Sequence, residues 1–238
     1  EVGYGKREID LRVASGNKQG VEVKWISQFD TRKEGMGEKA GRAACYDTCK
    51  KILVNSGLSG NSASPTTRFQ IANENKKLSQ SKNQSEYLVI DMQTAKDGIA
   101  YLDSELESGY PVLVGVDYEF DRKIKLKNGT IDYPNRTDFT TDHYIVIVGR
   151  KYDDKGDLYY LFYDVGTGKN AFFIKDKDNK WSPRLKPDEN LLNKEYKPNG
   201  TSDYNRLYIK NNMLKGQTQI SSKNNYVVTQ IRLNIAKE

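Results

Sequence analysis

Asp142-His143-Tyr144-Ile145-Val146-Ile147-Val148-Gly149-Arg150-Lys151-Tyr152-Asp153-Asp154-Lys155-Gly156-Asp157-Leu158-Tyr159-Tyr160-Leu161-Phe162-Tyr163-Asp164 is the stretch on which the reading of this chain turns. Two apolar runs rich in β-branched and aromatic residues, His143 to Gly149 and Leu158 to Asp164, flank the turn-forming cluster Asp153-Asp154-Lys155-Gly156. That pattern predicts a β-hairpin. Side chains along a strand alternate between faces, so an even-length loop here sets His143 and Asp164 on the same face. A turn centred on Asp153-Asp154 places them directly opposite one another, and a one-residue slip or a bulge would separate them. Asp142 then points to the other face, in a solvated or turn role.

Outward from the hairpin, Tyr110-Pro111-Val112-Leu113-Val114-Gly115-Val116 reads as a buried strand with Pro111 at its start. Ala171 to Ile174 and Tyr226 to Ile235 are further strand candidates, separated by a polar stretch carrying Pro183, Pro187 and Pro198. Upstream, Thr94 with Asp97 resembles a capping box, and Ile99, Leu102 and Leu106 form the apolar stripe of a helix ending at Gly109. From Ala43 to Asn55 the period is again helical, with Cys45, Cys49, Ile52 and Leu53 on one face and Gly57 as the stop. Val21 to Gln28 reads as a short strand, and Asp30 to Gly41 as an exposed loop. The expected organisation is α+β: a loosely tied arm over residues 1–20, then one catalytic domain over 21–238. A polar insertion at about 58–88 and a C-terminal extension after about 175 decorate it.

Composition narrows the function classes. The chain has 38 basic and 32 acidic residues, a formal charge of +6 and a pI near 9.0, which favours anionic partners by long-range attraction. Its basic residues are scattered and no recognition motif accompanies them, so nucleic-acid binding is not expected. No apolar run reaches membrane-spanning length and no apolar signal core opens the chain. The first residue is Glu1 rather than Met, which leads us to expect a processed product or a piece of a larger protein. With one histidine and two cysteines, the usual four-ligand Cys/His zinc set cannot be assembled without carboxylates, so no metal or other cofactor is expected. Gly166 and Gly168 lack the context of a phosphate loop.

What remains is nucleophilic chemistry. A cysteine in the first turn of a helix faces unpaired N–H groups and the positive end of the dipole, both of which favour a thiolate. Cys45 holds that position. Its proton acceptor is His143 by exclusion, because the chain has no other imidazole. Asp164, by hairpin parity, is the residue placed to orient that imidazole. Cys49, one turn beyond Cys45, reads as packing. The i, i+4 separation of about 6 Å nevertheless permits a Cys45–Cys49 disulfide as an oxidised, inactive form.

Taken in order, Gln28, Cys45 opening a helix, Gly109 to Val116, Asp142 to Gly149 and Tyr163-Asp164 resemble the papain-like peptidases related to the bacteriocin-leader processing family. The likeness is one of pattern and order over roughly residues 21–168. It implies a papain-like fold in which an N-terminal helix carrying the nucleophile packs on an antiparallel sheet carrying His and Asp. It further implies Gln28 in the oxyanion hole, Cys45 as nucleophile, His143 as general base and Asp164 as orienter. This chain departs from the family in having Tyr46 where Gly often follows the cysteine, a longer Gln28 to Cys45 loop, and Val165 where Pro commonly follows the Asp. Similar folds serve cell-wall amidases and antibacterial toxin domains of larger secreted bacterial proteins. A secreted or delivered effector, countered by an acidic immunity protein, is therefore the implied setting.

The reading to be tested is a cysteine peptidase or amidase acting on a peptide, protein or peptidoglycan amide. Transfer to an amine and deamidation of a protein glutamine use the same thioester chemistry and stay open. So does a non-enzymatic reading: Cys45 as a buried packing residue, His143 as a satisfied core histidine, and Asp164 as a turn cap, in an inactive papain-like binding module.

Overall fold

A computed structural model of the chain describes residues 5–60, 65–74, 88–119, 124–125, 131–132, 141–183, 199–218 and 225–238. Much of the expected 58–88 insertion, with Pro187 and Pro198, lies outside them. The strands are β1 (Ile9–Asp10), β2 (Arg68–Gln70), β3 (Ala72–Glu74), β4 (Leu88–Ile90), β5 (Val112–Glu119), β6 (Ile124–Lys125), β7 (Ile131–Asp132), β8 (His143–Tyr152), β9 (Leu158–Tyr163), β10 (Phe173–Lys175), β11 (Trp181–Pro183), β12 (Arg206–Lys210), β13 (Met213–Gln217) and β14 (Asn225–Arg232). The helices are α1 (Cys45–Asn55), α2 (Met92–Glu107) and the single turn α3 (Lys169–Phe172).

Six antiparallel strands close on themselves in the order β8, β5, β14, β13, β12, β9 and back to β8. Closure removes the exposed edges that an open sheet would leave. One face of the barrel wall points inward and the other meets the helices, so Ile145, Val146, Ile147 and Val148 are all fully buried, whatever their parity. Helix α1 lies against β8 and β5, and α2 against β2, β5 and β14. In α1 the buried face is Cys49, Ile52 and Leu53, and truncating Leu53 to Ala would cost about 2–5 kcal/mol. Gly57, at φ +92°, ends the helix in a Schellman motif: Leu58 N–H donates to the Leu53 carbonyl and Gly57 N–H to that of Val54. Along α2 the buried stripe is Ala95, Gly98, Leu102 and Leu106, and a Cβ on Gly98 would sit 3.0 Å from Ile231 Cδ1.

Several expectations are corrected. Residues 1–20 are no loose arm. Strand β1 pairs with β8, Leu11 is fully buried, and the buried Arg150 reaches the Arg7 carbonyl, Asp103 and Glu107, tying the arm and β8 to α2. Val21 to Gln28 forms no strand. Its backbone makes isolated bonds, Val23 N–H to Leu11 and Gln28 N–H to Val165, with no neighbouring ladder to join. The cap of α2 is Asp91, whose side chain accepts from Thr94 N–H, so the helix starts earlier than a Thr94 cap would place it. Inside the supposed insertion, β2 extends β14 beyond the end of β13, and β3 pairs with β4. Residues 171–172 belong to α3, and a strand begins only at Phe173. The region after 175 is no appendage, since it supplies β12, β13 and β14, half of the barrel wall.

The hairpin register also differs from the expectation, in a way that preserves its consequence. The turn centres on Lys155, with Tyr152 opposite Leu158, which by itself would put His143 and Asp164 on opposite faces. A β-bulge between Ile147 and Gly149 inserts Val148 and shifts the register by one, so that Ile147 faces Phe162 and Val146 faces Tyr163. Continued by one residue, this ladder sets Asp164 across from Ile145, on the same face as His143 and one diagonal step away. An odd turn and a single bulge together restore the parity.

Candidate active site

Cys45 is the first residue of α1, after Ala44, which offers no capping side chain. The first N–H groups of the helix therefore lack an intrahelical acceptor, and no capping side chain at Ala44 takes them. The thiol lies against the imidazole of His143 as a hydrogen-bonding partner, and the backbone N–H groups of Tyr144 and Tyr46 point at the sulfur. Burial pushes the Cys45 pKa up, but the His143 hydrogen bond and charge with those two N–H groups outweigh it, and the net shift is downward. Cys49 is the contrast. It is fully buried, its pKa is pushed well up by desolvation and by the charges of Cys45 and Asp164, and both cysteines are free thiols.

His143 opens β8, opposite Val116 of β5, and is 6% exposed. Its Nε2 donates to Asp164 Oδ1 at 2.9 Å. The ring has only two nitrogens, so Nδ1 is the one left for Cys45. Desolvation alone would lower the His143 pKa. The charge and hydrogen bond of Asp164, followed by those of Cys45, dominate and raise it. A depressed thiol beside an elevated imidazole favours a thiolate–imidazolium pair at pH values between the two titrations.

Asp164 follows the last residue of β9 and is 2% exposed. Both of its carboxylate oxygens are engaged: Oδ1 by His143 and by Gly166 N–H at 2.9 Å, Oδ2 by the hydroxyl of Tyr226 at 2.7 Å. Burial raises its pKa, and His143, Tyr226 and the Gly166 N–H more than offset this, so Asp164 stays ionised inside the barrel. Its backbone is held as firmly. Asp164 N–H donates to the Gly200 carbonyl, while Trp25 Nε1 donates to the Asp164 carbonyl at 3.0 Å. A carboxylate so pinned has one direction in which to act.

Gln28 is buried beside this set, but its amide is turned to the loop that leads into α1. Nε2 donates to the carbonyls of Gly41 and Arg42, each at 3.1 Å, and Gly41 N–H returns a bond to the Gln28 carbonyl. Rotating the amide by half a turn would set Oε1 against two carbonyl oxygens, which fixes this orientation. Oε1 itself is buried without a partner among the described residues. Of the four sequence-predicted residues, then, Cys45, His143 and Asp164 come together, whereas Gln28 braces the approach to the nucleophile and presents no uncommitted N–H.

Sequence reasoning gives neither Tyr226 nor Trp25 a role at the site. Tyr226 belongs to an apolar strand and carries no local sign that its hydroxyl meets a carboxylate. Among the described residues no group of three or more His, Cys, Asp or Glu side chains is arranged to hold a metal ion, and no helix is long and apolar enough to cross a membrane. Comparison with family models, curated proteins and solved structures finds no significant match to this chain.

Proposed function

We propose that this chain is a papain-like cysteine hydrolase that cleaves an amide bond in a peptide, protein or peptidoglycan substrate. The observation that carries the reading is the buried Asp164–His143 pair aimed at a thiol in the first turn of α1. In the first half-reaction the Cys45 thiolate attacks the amide carbonyl carbon, forming a C–S bond and a tetrahedral oxyanion. The C–N bond then breaks, and His143 passes its Nδ1 proton to the leaving amine. In the second, His143 takes a proton from water as that water attacks the thioester, and the C–S bond breaks to return the thiolate. Asp164 stabilises the imidazolium in both without itself accepting the proton.

The N–H of Cys45, at the start of α1 where helical N–H groups lack an intrahelical acceptor, would receive the oxyanion. Gln28 serves as the second donor if its amide releases one of the two carbonyls it holds when substrate enters. The deciding experiment incubates purified wild type, Cys45→Ala and His143→Ala with peptides and with peptidoglycan, and reads the products by mass. Cleavage by the wild type and loss of at least about a thousand-fold in both variants is the expected result. Equal activity in all three sinks the proposal.

A further inference from the structure

A cavity of about 350 Å³ opens between the two segments that carry the nucleophile and the orienting carboxylate. Phe29 and Arg42 come from the chain leading to Cys45, Lys169 from the turn after Asp164, and Phe173, Asn179 and Lys180 from the β10–β11 hairpin. Its lining approaches the reacting pair along the chain from both sides. Arg42 is three residues from Cys45, a reach of at most about 11 Å for a fully extended chain. Lys169 is three residues from Gly166, which lies so close to His143 that a Cβ there would be 3.1 Å from Cε1.

The lining combines three cations with an apolar edge. The Phe29 and Phe173 rings pack edge to face, with centroids 5.4 Å apart and an interplanar angle of 87°. Neither Arg42 nor Lys180 has a carboxylate within ion-pair distance among the described residues. Two acids lie within four residues of Lys180: Asp176 uses Oδ1 to accept the N–H groups of Asp178 and Lys180 in its own turn, and neither Asp176 nor Asp178 is within ion-pair distance of the Lys180 ammonium. The cations also act on one another: partial desolvation together with the charges of Arg42 and Lys175 holds the Lys169 ammonium below its ordinary range. Such repulsion is relieved by an anion. At about 350 Å³ the recess falls near the small end of ligand cavities, room for one side chain and its charged head and not for a folded partner.

We propose that this cavity is a substrate subsite for a carboxylate-bearing residue next to the scissile amide, its methylene stem on Phe29 and Phe173 and its carboxylate among Arg42, Lys169 and Lys180. The assignment rests on the hydrolase reading and deepens it by naming the substrate class.

The test uses alkylation of Cys45 and needs no identified substrate. Cys49 is fully buried, so a single adduct reports Cys45 alone. Rates with anionic iodoacetate and neutral iodoacetamide are measured for wild type, Arg42→Gln and Lys180→Gln. The imidazolium of His143 acts equally in all three proteins, so a change in the iodoacetate-to-iodoacetamide ratio isolates the cavity. We expect the ratio to fall about two- to ten-fold in each variant while the iodoacetamide rate is unchanged, and the difference to shrink in high salt. Protection of wild type by N-acetylglutamic acid α-amide against protection by N-acetylglutamine then assigns the carboxylate to a side chain or to a chain end. An unchanged ratio in both variants overturns the subsite while leaving the thiolate reading intact. An iodoacetamide rate no faster than that of an ordinary small thiol at neutral pH overturns the thiolate reading and the subsite with it.

Discussion

The Tyr226 hydroxyl donates to Asp164 Oδ2 at 2.7 Å, on the carboxylate oxygen that His143 does not use. The two residues are 62 positions apart in the chain and meet inside the barrel, Tyr226 on β14 and Asp164 just past β9. Without a donor on that side, the carboxylate could rotate or draw in water. With it, the lone pairs of Oδ1 are left for His143 and the Gly166 N–H. In the proposed hydrolase Tyr226 positions the imidazole, one step removed from the chemistry.

Replacing Tyr226 by Phe keeps the ring, which packs 6.0 Å from those of His143 and Phe162, and removes only the hydroxyl. A buried carboxylate oxygen then loses its donor, at a cost of about 1–3 kcal/mol. Thermal unfolding should register that loss. Amide turnover should drop about ten-fold with KM little changed, because the substrate touches neither group. A fall in Tm with turnover intact would reduce Tyr226 to a structural role.

The elements that bear Cys45 and His143 were legible because each is locally encoded: a 3.6-residue period closed by Gly57, and an unbroken β-branched run. Of the strands that close the barrel, β14 was expected but β12 and β13 were not read, although Asn211-Asn212, both at positive φ (52° and 61°), form a two-residue turn between Leu207-Tyr208-Ile209 and Met213-Leu214. Register was the harder problem. No composition signal announces the bulge at Val148, since all four residues from Ile145 to Val148 are equally apolar and equally buried. The same-face relation of His143 and Asp164 was expected from an even turn, and it is realised by an odd turn plus a bulge. Contacts set by closure, such as Tyr226 with Asp164 or Trp25 with the Asp164 carbonyl, have no local signature at all.

Alkylation of Cys45 by iodoacetamide should follow a titration centred below the 9.0 of an ordinary cysteine, and in His143→Ala that midpoint should move back up toward it. Turnover should be bell-shaped, rising through the depressed Cys45 pKa and falling as His143 releases its proton at about 10. Stability follows from the same pair. The raised His143 pKa stabilises the fold fully below its unfolded value of 6.5 and is lost as pH climbs through about 10. The lowered Cys45 pKa stabilises above 9.0 and is lost as pH falls through its folded value. Between 9.0 and about 10 the unfolded pair holds no proton and the folded pair holds one, so stability must decline with rising pH across that window. Urea titrations of wild type and the Cys45→Ala/His143→Ala double variant, compared at pH 8.5 and 10, check this: the difference should narrow at the higher pH.

For Gln28 two roles can be separated by two rates on one protein. As an oxyanion donor it acts on the tetrahedral intermediate of amide cleavage, and its loss should cost about 10²- to 10³-fold in turnover. Alkylation by iodoacetamide passes through no such oxyanion. Gln28→Ala should therefore depress turnover far more than alkylation. If both fall together, the residue acts only by holding Gly41 and Arg42, and with them the entry to α1, in place.

Gly166 gives the sharpest steric test of the imidazole's placement. A Cβ at this position would meet His143 Cε1 at 3.1 Å, Asp164 Oδ1 at 3.2 Å and His143 Nε2 at 3.2 Å, tighter than ordinary van der Waals contact. Its φ lies outside the left-handed region, so Ala imposes no backbone strain there and the substitution reports space alone. The carboxylate has little freedom to yield, being bonded to His143, to Tyr226 and to Gly166's own N–H. The imidazole must give way instead, by a few tenths of an ångström, along the direction that lengthens its bond to Asp164. Gly166→Ala should thus lose about ten- to a hundred-fold in turnover, since small displacements of a proton-transfer group are costly. Its Tm should stay within a few degrees of wild type, and the midpoint of Cys45 alkylation should rise as the imidazolium is less well held. Wild-type turnover in Gly166→Ala would mean that His143 can work from elsewhere than the position described.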